Sequence, residues 1–293
     1  MKTTLTIAAC SALLTGAVQA QIMSYIDFED QTVGSSIDFI DENGNFWFSF
    51  AATAAELPRG SADIPGADIR KGEAPATTVA GDFSPGFGYL EVEGDAFEFA
   101  GTSWTLECFV KFADTGGWQT ILGRDPDLLG PTTPAADVYF SKHFNNRFRF
   151  EYRTGWTDNG DGTFTDNRAE VWSHTIAATP DRWYHIGVTY DQDTRTMTLY
   201  INGEIDDQIT DVDNVIAVTD PFSQFWSVGR GYWDGNAVDS LNAVIDDLRI
   251  TAAVLSPSEM LVATECFYDR DGDGDSDTAD ILQYIGELEA GCN

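Results

Sequence analysis

The residues best placed to do chemistry lie near the end of the chain, in DRDGDGDSDTAD, residues 269–280. Asp269, Asp271, Asp273, Asp275, Asp277 and Asp280 are six carboxylates in twelve residues. At neutral pH such a set repels itself. A hard divalent cation reverses that, and calcium, which takes 6–8 oxygen ligands at flexible distances, suits the spacing. Gly274 stands where a loop turning sharply round an ion needs backbone freedom. The plain alternative, an acidic disordered tail, accounts for neither Gly274 nor the alternation of the aspartates. After the loop, Ile281, Leu282, Ile285 and Leu288 fall on one helical face. Asp277 is placed to cap that helix and Asp280 sits in its first turn.

A tail of this size, residues 266–293, cannot bury much core alone. Cys266 and Cys292 bracket it and are the natural disulfide pair. Such a clasp contributes about 3–4 kcal/mol by restricting the unfolded chain. Cys108 is left over in an alternating strand pattern and reads as a buried free thiol.

The elements before the tail are of another kind. Residues 1–20, MKTTLTIAACSALLTGAVQA, have Lys2, a short apolar run and small residues before Ala20, the pattern of a secretory signal peptide. The segment IAAC ending at Cys10 loosely matches a lipoprotein box, but Cys10 lies very early for one. No later run is long enough to span a bilayer. The formal net charge is −32, which repels nucleic acid and anionic membranes. From Gln21 to about Ile250 short alternating runs recur: YLEVEG, SWTLECFVKF, RFRFEYR, AEVWSHTIA, WYHIGVTYD, TMTLYINGE, FWSVGRG and AVIDDLRIT. Turn residues separate them, and the spacing predicts a β-sandwich or jelly roll. Residues 51–75 carry Pro, Gly and Ala without period and read as a surface loop. LSPSEMLVAT predicts a short helix, with Ser256 as N-cap, Pro257 next and Glu259 closing a capping box.

The blocks SWTLECFVKFADTGGWQTILGRD, RWYHIGVTYDQDTRTMTLYINGE, SVGRG and AVIDDLRITAAVLSPSEM resemble, in order and spacing, a laminin-G-like jelly roll of the concanavalin A type, over roughly residues 25–262. The resemblance implies an all-β, two-sheet antiparallel sandwich. Its members bind carbohydrate or protein, often carry one calcium, and include glycoside hydrolases and lyases, so the fold alone does not choose between binder and enzyme. Trp104, Trp118, Trp183 and Trp226 are expected at apolar strand positions, and Asn202-Gly203 at a hairpin turn. The tail resembles an EF-hand calcium loop, and more closely one half of a dockerin. That likeness implies Asp269, Asp271 and Asp273 as side-chain ligands, Asp275 through its carbonyl, Asp277 through water, and Asp280 at the closing position. Dockerins have two such loops and this chain has one, which weakens the case for a cohesin-like partner.

Further sites follow from the jelly-roll likeness. Glu93, Asp95 and Glu98 match the spacing of a hydrolase carboxylate run, but a turn at Gly94-Asp95 would send Glu93 and Glu98 to different strands. His143, His174 and His185 show no pairing and read as structural. Glu29 and Asp30 near the start could meet Asp246 and Asp247 on the last strand in a second calcium site; because neighbours on a strand alternate faces, one of Asp246 and Asp247 should face outward or coordinate. Trp156 and Phe164 around TDNGDGTFTDN, and Tyr232 and Trp233 in GRGYWDGN, are loop aromatics of the kind that stack on sugars.

The sequence therefore reads as a secreted, non-enzymatic recognition protein. A jelly roll over 21–262 would bind a glycan or an extracellular protein, and a calcium-dependent, dockerin-like helical tail over 266–293 would dock it to a partner or the cell surface. A polysaccharide-degrading enzyme on the same fold is the first alternative, and a surface adhesin or structural component the second.

Overall fold

The computed structural model describes residues 21–41, 43–66, 69–71, 77–84, 88–93, 96–126, 135–215 and 224–262. Residues 1–20, the acidic loop 269–280, Cys266, Cys292 and Asp95, to which the signal-peptide, calcium-loop, disulfide and carboxylate expectations apply, lie outside the described residues. Two eight-stranded antiparallel sheets make the sandwich that the alternating runs predict. The first orders Glu204–Ile209 (β14), Thr196–Ile201 (β13), Trp183–Asp191 (β12), Trp104–Phe112 (β7), Ala243–Thr251 (β18), Ala80–Asp82 (β5) and Arg59–Ser61 (β4), with Ile22–Ile26 (β1) also on β18. The second orders Phe164–Ala177 (β11), Arg147–Asp158 (β10), Val138–Lys142 (β9), Gln119–Arg124 (β8), Trp226–Val228 (β15), Tyr89–Val92 (β6), Phe46–Phe50 (β3) and Phe39–Ile40 (β2). A small hairpin, Gly231–Trp233 (β16) and Asn236–Val238 (β17), stands apart. Among the described residues no helix is long and apolar enough to cross a membrane.

The inward positions of both sheets fill one apolar core. Trp104 from the first sheet meets Phe150 of the second at 5.3 Å and stacks on Phe99 at 4.6 Å. Trp226 stacks on Phe97 at 4.5 Å. Alternation along β7 sends Trp104, Leu106, Cys108 and Val110 inward, so Cys108 is a buried free thiol, its pKa driven up by burial. The β13–β14 turn uses Asn202 and Gly203 at φ 52° and 82°, the pair of positive angles that a two-residue hairpin turn demands.

Three local expectations are corrected. The region 51–75 is not all loop: Arg59–Ser61 pairs with Ala80–Asp82, at an edge where Gly60 lies against the Thr32 carbonyl and leaves no room for a Cβ. The predicted helix after Leu255 is a single 3₁₀ turn, Pro257–Glu259. Its capping box is present, the Ser256 N–H donating to the Glu259 carboxylate at 2.9 Å. The turn stops because Met260 is drawn onto the first sheet with Tyr200, Leu255 and Val262, while the Leu261 N–H is taken by Glu107 at 2.8 Å. The tryptophans also divide. Trp104 and Trp226 are core, but Trp183 is half-buried beneath the Lys111 ammonium, and Trp118 lies outside the core altogether.

Candidate functional site

The outer face of the second sheet holds a cavity of about 440 Å³, lined by Trp118, Ala135, Tyr139, Arg149, Glu151, Arg168, Trp233, Val238 and Asp239. Its floor follows from pairing register. Tyr139 on β9 faces Glu151 on β10, and one step along Ser141 faces Arg149. Directly paired residues share a face, so the run RFRFEYR turns Phe148, Phe150 and Tyr152 to the core and Arg149, Glu151 and Arg153 outward. Charge on this floor is heavily paired. Arg149 bonds Glu151 and reaches Glu170 at 3.0 Å, and its guanidinium lies over the rings of Trp172 and Trp118 at 4.8 and 5.6 Å. Arg168 donates to the Ala136 carbonyl at 2.9 Å and to Asp166 at 3.3 Å, and comes within 3.5 Å of Glu151. Burial pushes the Glu151 carboxyl up, against the downward pull of Arg168 and Arg149.

The roof is the β16–β17 hairpin. Its turn places Asp234 and Gly235 at φ 48° and 80°. The Tyr139 hydroxyl donates to the Tyr232 carbonyl at 2.6 Å and accepts from the Tyr232 N–H at 3.2 Å, which fixes the hairpin over the floor. Gly231 makes this approach feasible: a Cβ there would meet the Tyr139 ring and lie 2.9 Å from Thr120 Oγ1. Trp233, 57% exposed, forms the cavity's outer wall. Asp239 ends the roof at φ 56°, half-buried, its carboxyl pushed up by burial alone.

Of the four loop aromatics expected to touch a ligand, Trp233 lines the cavity, and Tyr232 supplies the backbone that pins its roof. Trp156 and Phe164 lie on the β10–β11 hairpin and do not line it. The TDNGDGTFTDN segment is a tight hairpin end, with Asp161 accepting from the Thr163 N–H at 2.9 Å. Arg149, Glu151, Arg168 and Asp239 were missed as site residues. The signal for the first two was present, because RFRFEYR alternates charge with aromatic rings over a full strand.

Glu93 and Glu98 do not line this cavity. Glu93 is exposed, while Glu98 accepts from the Phe99 and Ala100 N–H groups and pairs with buried Arg124 at 3.3 Å. His185 is fully buried, its Nε2 2.8 Å from Glu107, and His174 lies 3.0 Å from Arg147. His143 packs edge-on to Trp118 at 3.9 Å between ring centroids, and burial lowers its pKa.

Of Glu29, Asp30, Asp246 and Asp247, two come together. The Thr77 hydroxyl lies 2.8 Å from both Glu29 Oε1 and Asp246 Oδ2. Glu29 also accepts from the Thr78 and Val79 N–H groups, and Asp30 is exposed. Neither Asp246 nor Asp247 reaches solvent: Asp246 pairs with Phe109 on the outer face of the first sheet, and both carboxylates are covered. A register shift between Asp246 and Arg249, with Asp247 at φ 51°, breaks the alternation and buries both. Asp247 is occupied by Arg70 Nε and the Tyr25 hydroxyl, each at 2.5 Å. Among the described residues no three His, Cys, Asp or Glu side chains gather to hold a metal ion.

Comparison with known proteins fits this architecture. The family model for the concanavalin A-like lectin/glucanases superfamily matches residues 85–260, more than half of the chain. A search of curated proteins returns no match. Domain 4 of an extracellular arabinanase from Geobacillus stearothermophilus, solved with arabinotriose, superposes with a TM-score of 0.50 at 15% identity, covering 82% of this chain and 96% of that one. The binding domain of Paraclostridial Mosquitocidal Protein 1 gives 0.47 at 11% identity over 81% and 50% of the two chains. A carbohydrate-binding domain of a Ruminococcus gnavus sialidase, bound to sialyllactose, gives 0.42 at 13% identity over 55% and 80%. At these identities the likeness is one of fold. With the two-sheet sandwich and the matched family model together, the chain belongs to the concanavalin A-like lectin/glucanases superfamily.

Proposed function

We propose that this protein is a secreted, non-enzymatic glycan-binding protein whose ligand sits in the cavity on the outer face of the second sheet. The observation that carries this reading is the cavity itself: about 440 Å³, walled by Trp118, Tyr139 and Trp233, with polar groups converging on its floor. That is the make-up of a small-ligand site, apolar faces for stacking and a few placed polar groups for orientation. Glu151 is held by two arginines, so it does not make a free acid or base opposite Asp239. The test is a glycan array with wild-type protein and Trp233→Ala. Binding that is lost in the variant supports the reading. An array without signal removes it, and signal that the variant retains moves the site elsewhere.

The acidic tail, 266–293, is proposed to fold around calcium and to dock the protein to a surface or a cohesin-like partner. The alternation of its aspartates with Gly274 supports the calcium reading. For a calcium in the jelly roll, the oxygens that gather are Glu29 Oε1, Asp246 Oδ2 and Thr77 Oγ1. One hydroxyl proton cannot serve both carboxylates at once, and a cation would relieve the pair; Asp30 and Asp247 do not belong to that set. Calorimetric calcium titration separates the two. Asp271→Ala/Asp273→Ala should abolish the tail site, and any remaining site should vanish with Asp246→Asn. Equal binding by all three proteins would defeat both assignments.

A further inference from the structure

The charge state of the cavity indicates which class of sugar it takes; this step rests on the glycan-binding reading above. A carboxylated sugar needs a cation that is free to meet it. Arg149 and Arg168 are the cations here, and the charge of each is already countered by carboxylates: Arg149 by Glu151 and Glu170, although its Nε–H is unpartnered, and Arg168 by Asp166 and the flank of Glu151, with a further bond to the Ala136 carbonyl. A cationic ligand would meet the same two guanidiniums on the floor. What the cavity leaves open is of another kind. Asp239 lines it, and its carboxylate has no hydrogen-bond partner among the described residues. Beside it runs a row of buried polar atoms without partners: Thr120 Oγ1, Ser141 Oγ and Arg149 Nε. These three residues are paired in register across β8, β9 and β10. Thr120 is fully buried and Ser141 2% exposed, so each orphan hydroxyl carries an unrepaid desolvation penalty unless something pairs with it.

These groups complement one another. Asp239 only accepts, Arg149 Nε only donates, and the two hydroxyls do both. The matching ligand is one that donates and accepts at several neighbouring atoms and carries no charge, which is a polyol. An acidic sugar would bring its anion towards Asp239 and Glu151, in a chain whose net charge is already −32. The repulsion between two anions at contact is large wherever the site is partly desolvated.

We infer that the cavity binds an uncharged sugar residue rather than a uronic or sialic acid, with Asp239 accepting hydrogen bonds from the ring hydroxyls and Trp233 covering a ring face. Of the row, Arg149 lines the cavity, whereas Thr120 and Ser141 lie behind its lining and take part only through a bridging water. Asp239 then determines specificity, and Arg149 and Arg168 build the floor.

The test uses affinity gel electrophoresis and calorimetry on the full chain. Arabinan, galactan and a soluble β-glucan serve as uncharged probes, polygalacturonate and alginate as uronate probes. At least one uncharged probe should bind and neither uronate should. Asp239→Asn should lower the affinity for the bound probe at least tenfold with the melting temperature unchanged, since Asn tolerates the left-handed φ of 56° at this position. Uronate-only binding, weakened by Arg168→Gln and untouched by Asp239→Asn, would overturn the inference while leaving the glycan reading intact. Binding of an uncharged probe that Asp239→Asn does not change would also overturn it. Failure of every probe to bind would overturn the glycan reading, and this inference with it.

Discussion

The two outer faces of the sandwich make an instructive pair. On the first sheet, Glu107 and His185 point away from the core and are still fully buried, because the segment Ala253–Val262 crosses over them. Glu107 is saturated there: His185 Nε2 at 2.8 Å, Arg249, and the Leu261 N–H at 2.8 Å. On the second sheet, Glu151 and Arg149 occupy corresponding outward positions, but their cover is a small hairpin that stands off and leaves a cavity. Beside that cavity, Asp239, Thr120 and Ser141 have polar side-chain atoms without partners. A face whose carboxylate is fully satisfied serves the fold. A face with unspent hydrogen-bonding capacity beside an open volume can serve a ligand.

The strongest way to break this contrast is at Glu107. Glu107→Gln should cost about 3–5 kcal/mol, because it takes the charge from a fully buried carboxylate and leaves the partly buried Arg249 facing an uncharged partner. Urea unfolding would show it, and glycan affinity of the folded fraction should not change. Burial pushes the Glu107 carboxyl up, but His185 and Arg249 hold it below the usual carboxylate range. Its stabilisation is therefore complete above about pH 4.3 and is lost as the pH falls through the lower folded value. The wild-type urea midpoint should drop below pH 4 more steeply than that of the variant. A variant as stable as wild type at pH 7 would mean the covered face is not braced by this residue.

The open face should respond the other way round. Trp233→Ala should weaken glycan binding by about 10–100-fold, the loss of one aromatic anchor, with stability within about 0.5 kcal/mol because the ring is largely exposed. Gly231→Ala tests the roof: the added methyl meets Tyr139 and Thr120, so stability should fall by about 1–3 kcal/mol and binding should weaken too. The smallest effect is expected at Phe48, one of three exposed phenylalanines on β3 with Phe46 and Phe50. Phe48→Ser should leave both glycan affinity and melting temperature unchanged. A large loss of binding there would shift the site towards that edge.

The sequence made the inner half of this molecule legible and the outer half much less so. Strands such as WYHIGVTYD were readable because inward and outward positions alternate with period two. The Asn202-Gly203 turn was readable because positive φ restricts the residue choice. The 3₁₀ turn at Pro257–Glu259 shows the limit: its cap was visible, but its length was set by Met260 and Leu261 docking on a sheet distant in sequence. The cavity was visible only in one wall, Trp233. Asp239 and Arg168 join it through a hairpin and a strand pairing whose register no local pattern specifies. The burial of both Asp246 and Asp247 escaped for a similar reason, since the register shift between them and Arg249 suspends the alternation on which the expectation rested.

The most direct test of the central claim is which tryptophans a bound sugar touches. All eight indole N–H groups can be followed by nuclear magnetic resonance as an oligosaccharide ligand is added. The signals of Trp118 and Trp233 should shift with one shared dissociation constant, while those of the core residues Trp104 and Trp226 stay fixed. Shifts confined to Trp156, on the β10–β11 hairpin, would contradict the account and place recognition at the tip of that hairpin instead.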